Sequence, residues 1–180
     1  MPRLFVAVDL PEAIKDVAVS VGFGLPGARW LPREQLHVTL AFIGEVDGGM
    51  VQDVRASLRG VDVPPFELSL RGLGHFPPRG EPRVAWAGLR ASEPLALLHR
   101  RVLRQLESAG CEFERRKFHP HVTLARLSDT PPRRLADWLS GNSFFETGAF
   151  EVLEFHLYSS ILSSHGATHQ VEETYQLSSP

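Results

Sequence analysis

The sequence predicts an α+β protein built as two similar lobes, with antiparallel sheets related by a pseudo-two-fold axis and a cleft between the lobes. Three observations predict this fold class. Short runs that alternate apolar and polar residues, typical of strands, are interspersed with segments of helical periodicity. The pentapeptide HVTLA occurs twice, at residues 37–41 and 121–125, nearly half a chain apart. Each copy is followed by a helical segment, as an internal repeat requires.

The first half of the chain alternates strands and helices. RLFVAVDL is a strand, and Pro11 then opens a helix. LHVTLAFIG is the next strand, and the helix DGGMVQDVRASLRG after it ends at Gly60. FELSLRGL and RVAWAGL are two further strands, which we expect to pair as antiparallel neighbours across the loop GHFPPRGEP.

The second half also contains an HVTLA strand followed by a helix. SEPLALLHRRVLRQLESAG is the clearest helix, with Ser92 placed to cap its start and Gly110 at its end. The second HVTLA strand follows, and then the short helix PPRRLADWLSG. The alternating segments AFEVLEFHLYSSIL and HQVEETYQL are the last strands.

The composition fits one globular unit. The 180 residues, of which 43% are hydrophobic, suffice for one substantial core, and we expect a single bilobal domain over residues 1–180. The net charge of −2 argues against wrapping nucleic acid electrostatically, but a few local cations can still hold a small anionic ligand. Cys111 has no partner for an internal disulfide, and the N-terminal apolar run is too short for a signal peptide. We therefore expect a cytoplasmic protein without membrane attachment, and a monomer.

The repeated pentapeptide places a histidine and a threonine on the same face of each strand. Side chains alternate between faces with period two, so His37 and Thr39 share one face, as do His121 and Thr123. Packing explains a repeated valine and leucine, but it gives no reason to repeat a polar pair on the other face, which favours a functional site. If a two-fold axis relates the lobes, two imidazoles and two hydroxyls meet across an active-site cleft.

Such a set suits acid-base chemistry at phosphorus. The pKa of histidine is near 6.5, so close to neutral pH one imidazole can be neutral and act as a base while the other is protonated and acts as an acid. Threonine hydroxyls donate hydrogen bonds to non-bridging phosphate oxygens. The four residues can therefore support an in-line displacement without a metal or another cofactor.

With these motifs the sequence resembles the two-histidine (2H) phosphoesterase superfamily, whose signature is two HxTx motifs about half a chain apart. It looks most like the bacterial and archaeal RNA 2′,3′-cyclic phosphodiesterases, historically named 2′-5′ RNA ligases. The resemblance extends over RLFVAVDLP, RWLPREQLHVTLAFIGEV, PRVAWAGL, FHPHVTLARL and LYSSIL, and thus over nearly the whole chain.

The resemblance implies metal-independent hydrolysis of an RNA terminal 2′,3′-cyclic phosphate to a 2′-phosphate. It assigns His37 as the proton donor and His121 as the proton acceptor, with Thr39 and Thr123 holding phosphate oxygens. The implied substrates are RNA 3′ ends with a 2′,3′-cyclic phosphate, or small cyclic nucleotides, and weak 2′-5′ joining is implied as the reverse reaction. By the same analogy the segment Tyr158, Ser159 and Ser160 lines the site.

Two other functions stay open at the level of sequence. The same cleft could hold a nucleotide or an RNA end without turnover, as a catalytically silent binding module. A metal-dependent hydrolase could use His119 and His121, which share a face, although no third ligand at a suitable spacing is evident. We therefore expect His119 at the rim of the site or behind the catalytic residues.

Neighbouring residues also leave alternatives. Arg126 follows the second motif and is a candidate for substrate binding, but strict alternation puts it opposite His121, so this role needs the strand to twist, bulge or end. The same parity predicts that Phe42 is in the core, and Trp30 and Trp86 are expected there too. The basic run ERRKF at residues 114–118 is either a steering patch for phosphates or a solvated strand end. The remaining histidines are expected to be ordinary surface or packing residues: His75, His99, His156, His165 and His169.

Overall fold

The computed structural model describes residues 1–178, which form ten strands and four α-helices. The strands are β1 (Arg3–Asp9), β2 (Ala28–Trp30), β3 (His37–Glu45), β4 (Phe66–Leu68), β5 (Leu70–Phe76), β6 (Val84–Leu89), β7 (His121–Leu127), β8 (Phe150–Val152), β9 (Glu154–Ser163) and β10 (Gly166–Gln176). The helices are α1 (Glu12–Val19), α2 (Gly48–Leu58), α3 (Glu93–Ser108) and α4 (Pro132–Gly141).

One sheet runs through the molecule in the order β10-β9-β1-β3-β7-β6-β5, and β2 pairs with β7. Its strand pairs are antiparallel. β4 and β8 form a separate two-stranded antiparallel sheet. The predicted α+β class with antiparallel strands is confirmed. The predicted pairing of FELSLRGL with RVAWAGL holds for the part from Leu70 on, where β5 pairs with β6, whereas Phe66–Leu68 forms β4 and pairs with β8.

The two halves of the chain share one topology. The first half runs β1-α1-β3-α2-β4-β5, with β2 as an addition, and the second runs β6-α3-β7-α4-β8-β9, with β10 as an addition. The final shared strand of each half pairs with the first strand of the other, β5 with β6 and β9 with β1. The motif strands β3 and β7 meet at the centre through Val38 and Val122, so the pseudo-two-fold axis lies beside this pair. The extent of the single domain stays a prediction, and the last two residues of its range lie outside the described chain.

The main core lies on one face of the sheet. α3 buries an apolar stripe whose members are at most 1% exposed: Leu95, Leu98, Val102 and Leu106. The Oγ of Ser92 caps this helix by accepting a hydrogen bond from the Leu95 amide at 3.2 Å. Each buried leucine contributes about 1.5–3 kcal/mol of transfer free energy. Phe5, Ala7 and Tyr158 form a separate small cluster, which lies beside His37.

The strands depart from the sequence pattern in several places. FELSLRGL and AFEVLEFHLYSSIL, each expected to be one strand, are each divided, the first between β4 and β5 and the second between β8 and β9. The pattern does not predict β2, because its residues lie in a Gly/Pro-rich stretch that favours a loop, and the strand forms through pairing with β7. β5 continues to Phe76, into the stretch predicted to be a loop. A Cβ at Gly74 in this stretch would lie 2.3 Å from the ring of Trp86, so a glycine is needed where the indole crosses the strand.

Candidate active site

The two HxT motifs lie side by side on neighbouring strands of one sheet. Val38 and Val122 are directly paired in antiparallel register. Continuing this register by one residue in each direction sets His37 beside Thr123 and Thr39 beside His121. Each imidazole therefore has a hydroxyl of the other motif as its cross-strand neighbour. All four motif residues are partly exposed, while the valines between them are fully buried on the core face.

The crossed register separates the two imidazoles along a diagonal. Residues in diagonal positions of an antiparallel pair lie about 7–8 Å apart. This spacing leaves room for one tetrahedral group between the rings. The charge of His121 contributes to lowering the pKa of His37, as expected for two imidazoles of one site. The arrangement can thus present two imidazoles to opposite sides of a single phosphorus atom.

A β-bulge follows the threonine in both motifs. β3 pairs Thr39 with Ala7 but Ala41 with Val6, and so skips Leu40. β7 likewise pairs Thr123 with Trp86 but Ala125 with Ala85, and so skips the leucine between them. The leucine and the alanine of each copy are consequently both buried, and the two strands share one burial pattern over seven residues. The bulge explains why the repeat extends to a fifth residue.

The bulge changes which residues share a face with the histidines. Phe42 and Arg126 occupy the equivalent position after the two bulges, and both side chains are exposed. The prediction that Phe42 is a core residue is wrong, because its side chain is 56% exposed on the side of the motif histidines. Strict alternation puts Arg126 on the face opposite His121, but the bulge after Thr123 turns the Arg126 side chain to the site face.

His37 lies among aromatic rings. Its imidazole stacks on Phe5 with ring centroids 5.0 Å apart, and lies 5.9 Å from Tyr158 and 5.6 Å from His169. Desolvation, followed by the nearby His169, lowers the pKa of His37 from 6.5 to about 4. In the ligand-free protein at neutral pH, the His37 ring is therefore uncharged.

Asp9 lies directly across from His37 in the pairing of β1 with β3. Its charge acts against desolvation and raises the pKa of His37, although less strongly. The Nζ of Lys15, which is only 6% exposed, forms an ion pair with Asp9 at 3.1 Å. This pair holds the carboxylate at the end of β1, and the charge of Lys15 slightly lowers the pKa of His37.

His121 has a different environment. Its Nδ1 donates a hydrogen bond to the backbone carbonyl of His119 at 2.7 Å, because a carbonyl oxygen can only accept. Its ring meets Phe76 edge-on at 5.0 Å and lies 6.2 Å from Trp86. Burial lowers the pKa of His121. When neutral, His121 therefore carries its proton on Nδ1 and leaves Nε2 free to accept one.

Comparisons with known proteins place most of the chain in one family. Residues 10–161 match the family model described as the 2′-5′ RNA ligase superfamily. The chain belongs to the 2′-5′ RNA ligase superfamily. The RNA 2′,3′-cyclic phosphodiesterase of Archaeoglobus fulgidus is 35% identical over 168 residues, which are 91% of this chain and 94% of the relative.

Several solved structures have the same fold as this chain. TT0787 of Thermus thermophilus superposes with a TM-score of 0.80 at 30% identity, covering 97% of both chains. Escherichia coli LigT in complex with 3′-AMP gives a TM-score of 0.78 at 25% identity, covering 99% of this chain and 100% of that one. The family resemblance of the sequence is thereby confirmed.

Several side chains of the site are not evident from the sequence. Trp86, expected in the core, lies on the site face beside His119 and His121, with centroid distances of 5.1 and 6.2 Å. His169, expected to be an ordinary residue, contacts both His37 and Phe5. The alternation of RVAWAGL gave a usable signal for Trp86, whereas His169 comes close only through the pairing of β10 with β9. Trp30 does pack against the main core, as predicted.

The remaining candidates are less favourable as ligand sites. Residues 1–178 contain no group of three His, Cys, Asp or Glu side chains that could hold a metal ion. In the ERRKF run, Arg115 pairs with Glu107 of α3 at 2.8 Å and Arg116 pairs with Glu114, so two of its positive charges are already paired with carboxylates. Within the described residues, no helix has the length and apolar character needed to cross a membrane.

Proposed function

We propose that this chain hydrolyses the terminal 2′,3′-cyclic phosphate of RNA to a 2′-phosphomonoester, as a metal-independent phosphodiesterase. The crossed register of the two HxT motifs carries this proposal, because it provides two imidazoles and two hydroxyls around the volume of one phosphate. The names of its superfamily relatives agree, since several are RNA 2′,3′-cyclic phosphodiesterases.

The reaction requires two proton transfers. Nε2 of His121 takes a proton from the attacking water as the oxygen of that water bonds to phosphorus. The bond between phosphorus and the 3′ oxygen breaks on the opposite side, and His37 donates its proton to that oxygen. The product is a 2′-phosphate with a free 3′-hydroxyl. The hydrogen bond from His121 to the carbonyl of His119 supports the assignment of His121 as the base, because it leaves Nε2 as the free acceptor.

His37 must be protonated before it can act as a proton donor, so its low pKa must be raised in the complex with substrate. The pKa of about 4 describes a site without substrate, in which burial disfavours the imidazolium. A bound cyclic phosphate brings a negative charge next to the ring, and an opposite charge favours the protonated form. We infer that the substrate itself raises the pKa of His37 and recruits its proton.

The other site residues bind the phosphate. Thr39 and Thr123 donate hydrogen bonds to the non-bridging oxygens, and Arg126 adds a positive charge beyond the bulge. No metal or other cofactor takes part in this scheme. The substrates are RNA 3′ ends with a 2′,3′-cyclic phosphate or small cyclic nucleotides, and weak 2′-5′ joining accompanies hydrolysis. We further propose that the protein acts as a cytoplasmic monomer.

The test is hydrolysis of an oligoribonucleotide that ends in a 2′,3′-cyclic phosphate, in excess EDTA, with identification of the product. We expect turnover to a 2′-phosphate, and a loss of about 10² to 10⁴ in rate for both His37→Ala and His121→Ala. His165→Ala is the matched control, because this histidine is exposed in the turn between β9 and β10 and should leave the rate unchanged.

Three outcomes would contradict the proposal. Tight binding of the oligonucleotide without turnover would mean a catalytically silent module that holds an RNA end. Turnover that EDTA abolishes would mean a metal-dependent hydrolase. A 3′-phosphate product would contradict the assigned leaving group, because it requires cleavage of the bond to the 2′ oxygen.

A further inference from the structure

Two arginines lie directly opposite each other at one end of the site face. Arg29 on β2 pairs in register with Arg126 on β7. Both side chains are exposed, while the flanking pairs of residues, Ala28 with Leu127 and Trp30 with Ala125, belong to or pack against the core. Because residues in opposite positions of an antiparallel pair share a face, Arg29 lies on the same face as Arg126 and the motif histidines.

The backbone under Arg29 is held firmly. The Gly27 carbonyl accepts a hydrogen bond from the Ser128 amide at 3.0 Å, and the Leu31 amide donates to the Leu124 carbonyl at 2.9 Å. Gly27 has a φ of 77°, and a Cβ there would lie 2.0 Å from the carbonyl oxygen of Ser128, so this close approach requires glycine. The short strand β2 is therefore a fixed platform and not a loose loop.

This juxtaposition is unfavourable for the empty protein. Like charges directly opposite on neighbouring strands are destabilising. Some arginines pair their charge with a carboxylate, as Arg33 does with Asp16 at 2.6 Å and Arg59 with Glu173 at 2.6 Å. Others, such as Arg101, have no carboxylate within ion-pair distance among the described residues, but they do not lie directly opposite a second arginine in a strand pair. In the part of the chain that the structure describes, neither Arg29 nor Arg126 has a carboxylate within ion-pair distance. An anionic ligand would remove the repulsion and use both charges.

We propose that Arg29, next to Arg126 at the end of the site, forms a subsite for the phosphodiester that joins the terminal nucleotide to the rest of the RNA. This inference rests on the proposed function. Arg126 is three residues beyond Thr123, or about 10 Å along the strand, so its long side chain can reach the cyclic phosphate while Arg29 stands on its far side. The subsite makes the enzyme favour an oligonucleotide end over a cyclic mononucleotide.

The test compares kcat/KM for a short oligonucleotide with a 2′,3′-cyclic phosphate end against kcat/KM for a nucleoside 2′,3′-cyclic phosphate. We expect Arg29→Gln to lower the ratio of the two values about tenfold, because the mononucleotide lacks the phosphodiester that Arg29 binds. We also expect the slope of log KM against log salt concentration for the oligonucleotide to fall by about 0.7. This is the contribution of one phosphate contact on a single strand.

Arg101→Gln is the matched control, because Arg101 is an exposed arginine on α3, away from the site face, and makes no ion pair among the described residues. We expect this control to change neither the ratio nor the salt dependence. Equal losses on both substrates for Arg29→Gln, or an unchanged ratio, would overturn the subsite. Hydrolysis of the mononucleotide by the wild type tests the proposed function separately, so failure of one idea can be distinguished from failure of the other.

Discussion

His121 donates a hydrogen bond from Nδ1 to the backbone carbonyl of His119 at 2.7 Å, whereas the ring of His37 has no hydrogen-bond partner among residues 1–178. Two copies of one pentapeptide thus place the same residue in two different electrostatic settings. The carbonyl contact fixes the neutral tautomer of His121 with Nε2 free, which suits a base. His37 keeps both nitrogens available, and a bound anion raises its pKa so that the ring takes up a proton from solvent.

This difference predicts how the two histidines respond to the leaving group. Replacing the bridging 3′ oxygen of the cyclic substrate by sulfur gives a thiolate leaving group, whose conjugate acid has a pKa near 8.5 and which needs little protonation. We expect His37→Ala to recover most of its lost rate on this substrate and His121→Ala to recover little. The measurement is kcat for both variants on the two substrates. Recovery by His121→Ala alone would reverse the assignment of acid and base.

The pH dependence of catalysis follows from the lowered pKa values. In the free protein the pKa of His37 is about 4 and that of His121 lies below 6.5. Because one ring must be protonated and the other neutral, we expect kcat/KM to be bell-shaped with both limbs below pH 6.5. The basic limb of kcat should lie at higher pH, since the bound phosphate raises the pKa of His37. A flat profile from pH 5 to 9 would contradict a mechanism with two histidines.

The same burial predicts a loss of stability in acid. The pKa of His37 is 6.5 in the unfolded chain and about 4 in the folded one, so the unfolded state binds the proton more tightly. The stabilisation from a neutral His37 is complete above pH 6.5 and is lost as the pH falls toward 4, by about 2–3 kcal/mol. Urea unfolding at pH 7.5 and 4.5 should show a smaller acid loss for His37→Gln than for the wild type. An equal loss in His165→Gln and the wild type provides the control.

The packing of Gly74 against Trp86 predicts a defect from adding one methyl group. A Cβ at Gly74 would lie 2.3 Å from the indole, so Gly74→Ala must displace a ring that lies 6.2 Å from His121. We expect a loss of about 1–3 kcal/mol in the free energy of unfolding, together with a lower kcat. The loss should shrink in a Trp86→Ala background, as a double-mutant cycle would show. Gly141→Ala, where the added Cβ meets no atom within 4 Å apart from its chain neighbours and the backbone of its own helix, should cause no such loss.

The exposure of Phe42 predicts a role in binding and not in folding. Its side chain is 56% exposed and lies 6.1 Å from Phe5, the ring on which His37 stacks, so it offers an aromatic face on the site side of the sheet. Stacking of a base on an aromatic residue contributes about 1–3 kcal/mol, so we expect Phe42→Ala to raise KM about tenfold with little change in Tm. Phe144→Ala, which alters a phenylalanine that is 95% exposed, should leave KM unchanged. A large drop in Tm without a change in KM would mean that Phe42 stabilises the fold and does not bind substrate.

Much of the fold could be predicted from local patterns. The alternation of HVTL separated the face of His37 and Thr39 from the core face, and the structure keeps that separation in both copies. The stripe of α3 and its cap at Ser92 were likewise evident, because helical periodicity and capping depend on neighbours within a few residues. The repeat itself indicated a pseudo-two-fold axis, since a duplicated polar pair has no explanation in packing.

The sequence by itself determined the α+β class, the repeated His-Thr pairs and the family resemblance, because these depend on periodicity and identity along the chain. Only the tertiary structure decided which side chains surround those pairs. The bulges bring Phe42 and Arg126 to the site face. A bulge depends on the partners with which a strand pairs, and the strand's own sequence does not reveal those partners. Trp86 and His169 approach the two histidines for the same reason, through pairings of strands that are distant in sequence.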